Sequence, residues 1–240
     1  MSTPGPPAAV EPSELRVGWI MPPFVHELPL DAVSDDEAGQ ELYELSQDLL
    51  PGSSQDDQLA LAQLLGAQLI ELKSADGIYA GMCFLEVEGI DTLSTVLVTQ
   101  FAHDLDEEDG AEQLLRTVET AYPHDEVFPV KLPCGPAVTR VALVPVSVRD
   151  ADDGGTADLP RGLLQTYVPL PGTAELLLFE LSVFTPQGWE THSELFAEIL
   201  RTIDWATDME IAQYTSAHQP AVGVVPQQRV ETGPATTPFG

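Results

Sequence analysis

The chain has 240 residues, 43% of them hydrophobic, which suffices for one domain with a substantial core or two small ones. Nine Lys and Arg against 39 Asp and Glu leave a formal net charge of −30. That balance opposes contact with nucleic-acid phosphates or anionic lipid, both of which need local positive charge, and favours a basic protein as partner. Only two of the nine cations are lysines, Lys73 and Lys131, a bias expected of a bacterial, high-G+C genome. The opening MSTPGPPAAVEPSEL has neither a charged n-region nor an apolar h-region, and nowhere do 18 apolar residues run together, so a cytoplasmic location away from membranes is expected. In that reducing compartment Cys83 and Cys134 are expected as free thiols.

Residues 1–15 are rich in Pro and Ala and read as a disordered tail, followed by a single domain over 16–207. The apolar stretch from Trp19 to Val25 contains Pro22 and Pro23, which cannot donate to a ladder, so it reads as an edge strand or extended entry segment. Trp19, Met21 and Phe24 are its candidate partner-binding anchors, with packing into the core as the competing role. Ser34 or Asp35 caps a helix to about Leu50 that carries Ala38, Leu42, Leu45 and Leu49, and Pro51-Gly52 ends it. A second helix over 55–74 repeats Leu61, Leu64, Leu65, Leu69 and Leu72 at three- and four-residue steps; its Leu- and Ala-rich surface suits core packing or self-association into a homo-oligomer.

Strands over 78–87 and 93–102 follow, joined closely enough for a hairpin, and Gly81 suggests close approach by a helix or a bulge. An acidic loop over 103–110 leads to a helix over 111–122, then to strands over 127–132 and 137–148, where Pro145 argues for a bulge or an edge. After a surface loop over 150–158 comes LLQTYVPLP and then the strand Glu175–Phe184. Its alternate residues Leu177, Phe179, Leu181 and Val183 are wholly apolar. Thr185-Pro186 starts a helix whose stripe of Trp189, Leu195, Phe196, Ile199, Leu200 and Ile203 is expected to cover the Leu177 face. Residues 208–240, with scattered prolines and no period, read as a second disordered tail.

Consecutive strands with short connections give an α+β fold, a mainly antiparallel sheet covered by helices. The long apolar strand closing into T-P-x-G-W, and the helix ending Ile199-Leu200-Arg201-Thr202-Ile203-Asp204-Trp205, resemble the PsbP-like superfamily over about 132–205. That group includes the photosystem II extrinsic protein, a Mog-type factor that binds the Ran GTPase, and LpqN-type lipoproteins. The resemblance implies an α/β/α sandwich and a non-catalytic scaffold that binds other proteins. The lipoprotein's signal and lipid-acceptor cysteine have no counterpart in the residues at the start of this chain.

Motifs for chemistry are missing. No G-x-S-x-G elbow occurs, and Gly77 to Gly81 lies within a strand without the lysine of a phosphate loop. No His or Cys pair has zinc-ligand spacing, and no cofactor is implied. Asp104, Asp106 and Glu108 alternate as calcium ligands would, but Gly110 arrives one position late, so they are weak metal candidates in a solvated loop. Glu190, His192 and Glu194 stand two apart on a helix and do not converge, which places His192 on the helix surface. The expected function is a non-catalytic cytoplasmic protein–protein interaction module or accessory factor. The alternatives are a hydrolase with a site assembled from distant residues and a structural subunit of a larger assembly.

Overall fold

In the computed structural model the described residues are 15–75, 77–103, 105, 110–149, 156–170, 174–207 and 222–224. The first half of the chain gives β1 (Leu15–Ile20), β2 (Val25–Glu27), α1 (Asp35–Leu49), α2 (Gln55–Ser74), β3 (Gly77–Val87) and β4 (Ile90–Ala102). Then come α3 (Gly110–Ala121), β5 (Glu126–Leu132), β6 (Gly135–Arg149), β7 (Thr156–Pro169) and β8 (Glu175–Val183). A 3₁₀ turn, Pro186–Gly188, leads into α4 (Trp189–Arg201), followed by β9 (Asp204–Thr207) and β10 (Val222–Val224).

Seven strands form one antiparallel sheet in the order β2-β3-β4-β8-β7-β6-β5, and β10-β1-β9 form a smaller one. The alternation in β8 decides how the layers stack. Leu177, Phe179, Leu181 and Val183 are at most 2% exposed and share a core with Phe196 and Ile199 of α4. Each such burial contributes roughly 1.5–3 kcal/mol. The helix therefore lies where the apolar face calls for it, joined there by Trp19 of β1. On the opposite face Ala80 and Met82 of β3 pack with α1 and α2, while Val138, Tyr167 and Leu176 pack with Leu114 and Val118 of α3. The sheet is thus covered by helices on both faces.

Local chemistry fixes the helix starts. The Ser34 hydroxyl accepts the Glu37 N–H at 3.2 Å, while the Glu37 carboxylate accepts the Val33 N–H at 2.8 Å. Ser54 repeats the first contact with the N–H of Asp57 at 3.2 Å, opening α2.

Several expectations change in detail. Leu15–Ile20 is the central strand of the small sheet, Pro22 and Pro23 fall between strands, and the edge position belongs to β2. The close approach at Gly81 comes from β2 and Tyr79: an added Cβ would meet Val25 Cγ1 and the Tyr79 hydroxyl, each at 2.7 Å. Pro145 faces Pro160 without any break in the β6–β7 register, so of bulge and edge the structure shows the edge. β7 begins at Thr156, inside the stretch expected as loop, because residues 156–158 continue the ladder with 147–149. The tails expected at 1–15 and 208–240 lie outside the described residues except for Leu15 and Val222–Val224, which pair in the small sheet. Among the described residues no helix is long and apolar enough to cross a membrane.

Candidate functional site

The seven-stranded sheet ends unevenly. β5 pairs with β6 only from Glu126 opposite Val141 to Leu132 opposite Gly135, so residues 142–149 of β6 have no outer partner among the described residues. Their outward N–H and C=O groups form an open edge. On the α4 side of that edge lies a cleft of about 710 Å³, within the range of ligand-binding pockets. Val141 and Leu143 of β6, Val183 of β8, and Pro186 and Trp189 at the start of α4 supply apolar walls, with Gly162 of β7 between them. His124, Asp125 and Glu126, at the entry to β5, supply its polar side.

The Trp189 wall depends on Gly162. A Cβ at position 162 would overlap the indole six-membered ring, so glycine is what lets the ring lie on the β7 backbone. Leu143 keeps 73% of its surface exposed, so apolar surface reaches the open rim of the cleft.

The polar side is held from the other face of the sheet. Arg140, Gln165 and Glu180 sit opposite one another across β6, β7 and β8, and register alone brings them into a row. The buried Arg140 guanidinium donates from Nε to Asp125 at 2.6 Å and from Nη1 to Gln165 Oε1 at 2.7 Å, with its Cζ 3.4 Å from the centre of the Tyr122 ring. Gln165 Oε1 also accepts the Tyr167 hydroxyl at 2.9 Å, which leaves its amide to donate to Glu180 at 2.6 Å. Burial pushes the Tyr167 phenol far above its usual range, so it remains a donor. One cation thus ties the 122–125 turn at the mouth of the cleft to the middle of the sheet.

His192 is not on the helix surface. It is completely buried, with Nε2 2.9 Å from Thr92 Oγ1 and Nδ1 2.8 Å from Ser94 Oγ. Thr92 spends its single hydroxyl proton on Leu85 O at 2.8 Å, so Nε2 carries the ring proton and Nδ1 accepts from Ser94. Gly188 permits this packing, since an added Cβ would stand 2.8 Å from both Thr92 Cβ and His192 Cδ2. Burial holds the imidazole below its usual pKa, and hence neutral. Ser94 and His192 expose no surface to a substrate, so their hydrogen bonds join α4 to β4 rather than activate a nucleophile.

Of the partner-binding candidates, Trp19 is 1% exposed and Met21 not at all; only Phe24, at 42%, faces solvent. Trp19 packs edge-on against Phe179 and Tyr79, with ring centres 5.3 and 6.3 Å apart. The metal candidates Asp104, Asp106 and Glu108 lie outside the described residues, and no group of three or more His, Cys, Asp or Glu among those described is placed to hold a metal. In α2, Leu65 and Leu69 are buried but Leu64 and Ile70 are exposed. Cys83 and Cys134 are buried free thiols whose pKa burial raises to about 11. The open edge and cleft were not among the sequence candidates. No protein-family profile matches the chain, and no curated protein matches it either.

Proposed function

We propose that the chain is a non-catalytic protein–protein interaction module, an accessory factor of the cytoplasm, that receives its partner at the open half of β6. The observation that carries this reading is the coincidence of two unsatisfied surfaces: an unpaired backbone edge and an apolar cleft, both bordered by Leu143. Strand addition supplies affinity through the backbone, and a neighbouring pocket supplies selectivity through side chains. The burial of His192 and Ser94 withholds that pair from a substrate and supports a non-catalytic reading of it. The resemblance of 132–205 to PsbP-like proteins points the same way.

The test is a photo-crosslinking amino acid placed at position 143 in native cells, with position 33 as control because Val33 is 93% exposed and distant in the fold. A discrete adduct with a second protein from 143 alone is the expected result; equal labelling from both positions, or none, defeats the reading. A second reading, a structural subunit, is favoured by Ile70, which is 72% exposed on α2. It requires a self-associated mass in sedimentation equilibrium that Ile70→Glu abolishes.

A further inference from the structure

We infer that the occupant of the β6 edge is an extended, basic segment of another protein, which adds as a short antiparallel or parallel strand and places one large apolar side chain beside Trp189. This rests on the interaction reading above and names the chemistry of the partner.

The backbone sets the shape of the occupant. An edge offers donors and acceptors at strand spacing, which an extended chain can match and a helix, its own groups already paired, cannot. The length is bounded at both ends. Glu126 of β5 already occupies the position opposite Val141, and Pro145 has no N–H to give. Residues 142–144 remain, a stretch as long as the three-residue strands β2 and β10 that pair elsewhere in this protein. Within it Leu143 turns its N–H and C=O outward, because Pro145 and Pro160, opposite one another without an N–H, mark the odd-numbered residues of β6 as those facing away from β7.

Side-chain alternation then sets the anchor. Leu143 lines the cleft, so the incoming residue opposite it projects to the same face, over Trp189, Val183 and Pro186. Those walls select a leucine or an aromatic side chain.

Charge sets the flanks. The polar side of the cleft carries Asp125 and Glu126, and while Arg140 pairs with Asp125, Glu126 is exposed and makes no ion pair among the described residues. The nearest strand cation, Arg161, alternates with Gly162 and therefore points to the opposite face of the sheet. The whole chain carries −30. Lys or Arg beside the anchor meets a negative local field and a negative long-range one, which also speeds encounter.

The experiment uses the full chain and three fluorescein-labelled decapeptides with a central Phe in a Val/Thr frame, flanked by Lys/Arg, by Ser or by Glu. Anisotropy is expected to show the basic peptide binding at least about tenfold more tightly than the Ser peptide, with the preference shrinking from about 50 to about 500 mM salt. Hydrogen exchange is expected to slow at the amide of Leu143, the one N–H of this stretch that faces outward. Glu126→Lys should remove the basic preference, and Leu143→Ser should weaken every peptide; both side chains are exposed, so the core is left intact. Equal binding of all three peptides with protection at Leu143 overturns the basic partner and leaves the interaction reading standing. Protection elsewhere, or no binding by any peptide to protein of unchanged melting temperature, overturns the inference, and the crosslink from position 143 then decides the interaction reading by itself.

Discussion

Two tryptophans stand on the same face of the large sheet and meet different fates. Trp19 lies over the β3–β4–β8 centre, edge-on to Phe179 and Tyr79, and is 1% exposed. Trp189 lies over Gly162 of β7, toward the side where β5 stops short, and stays partly exposed as the wall of a cleft. The small sheet and α4 close over the first, whereas past Val141 no described strand lies outside β6 to close over the second. The contrast separates surface that the fold uses up from surface it leaves for something else: apolar contact at the centre becomes stability, and at the margin it remains available to a ligand.

The sharpest way to break the contrast is to truncate one ring on each side of it. Phe179→Ala removes a completely buried ring beneath Trp19, with an expected loss of about 3–5 kcal/mol. Trp189→Ala, from a partly exposed site, is expected to cost less than about 2 kcal/mol while abolishing peptide binding. Urea midpoints at constant slope measure both, and equal costs would mean that the cleft is as much core as the centre is.

The link between the two regions is Arg140. Arg140→Ala leaves Asp125 without its guanidinium partner and takes from Gln165 Oε1 one of its two donors, Tyr167 remaining, a loss of about 3 kcal/mol, near the low end for a broken buried pair because Asp125 retains 22% exposure. It should also release the 122–125 turn, seen as faster hydrogen exchange there than at the β4–β8 pairs. A variant equally stable and equally protected would show that the row of polar groups contributes nothing to the cleft.

Gly162→Ala tests the margin alone. The added methyl forces the indole off the β7 backbone, at about 1–3 kcal/mol for overpacking. The fluorescence of Trp189, isolated in a background where Trp19 and Trp205 are phenylalanine, should shift to the red as the ring enters solvent. An unshifted spectrum would remove Gly162 from the account of how the wall is built.

How much of this was legible depends on whether the signal is local. β8 and α4 could be read because period two and period 3.6 are written in adjacent residues, and α1 because Ser34 and Glu37 form their contacts within one turn. The cleft could not, because it exists only where β5 is shorter than β6, a fact about register between strands. Arg140, Gln165 and Glu180 are separated by 25 and 15 positions in the sequence and meet only when three strands align. His192 was legible but overlooked. It stands three residues after Trp189 and four before Phe196, on the apolar stripe itself, while its comparison with Glu190 and Glu194 pointed to solvent.

The smallest expected effect concerns this histidine and belongs to the sealed centre. Burial makes the folded protein bind the His192 proton less readily than the unfolded chain, whose imidazole titrates near 6.5. The unfolded state therefore takes up more protons as the pH drops. The stability owed to neutral His192 is complete above about 6.5 and is lost progressively as pH falls below it toward the lowered folded value. Glu27 and Glu175 act with the opposite sign, since burial raises both carboxyl groups and their protonation favours the folded state. Wild-type stability alone would mix these contributions, so the measured quantity is the difference between wild type and His192→Gln, whose amide can still bridge Thr92 and Ser94 without titrating. That difference should shift against the wild type between about pH 7.5 and about pH 5.5, spanning the imidazole's ordinary titration. A difference flat across the window would mean that the His192 ring is as easily protonated in the fold as out of it, and that the centre of the sheet is not sealed.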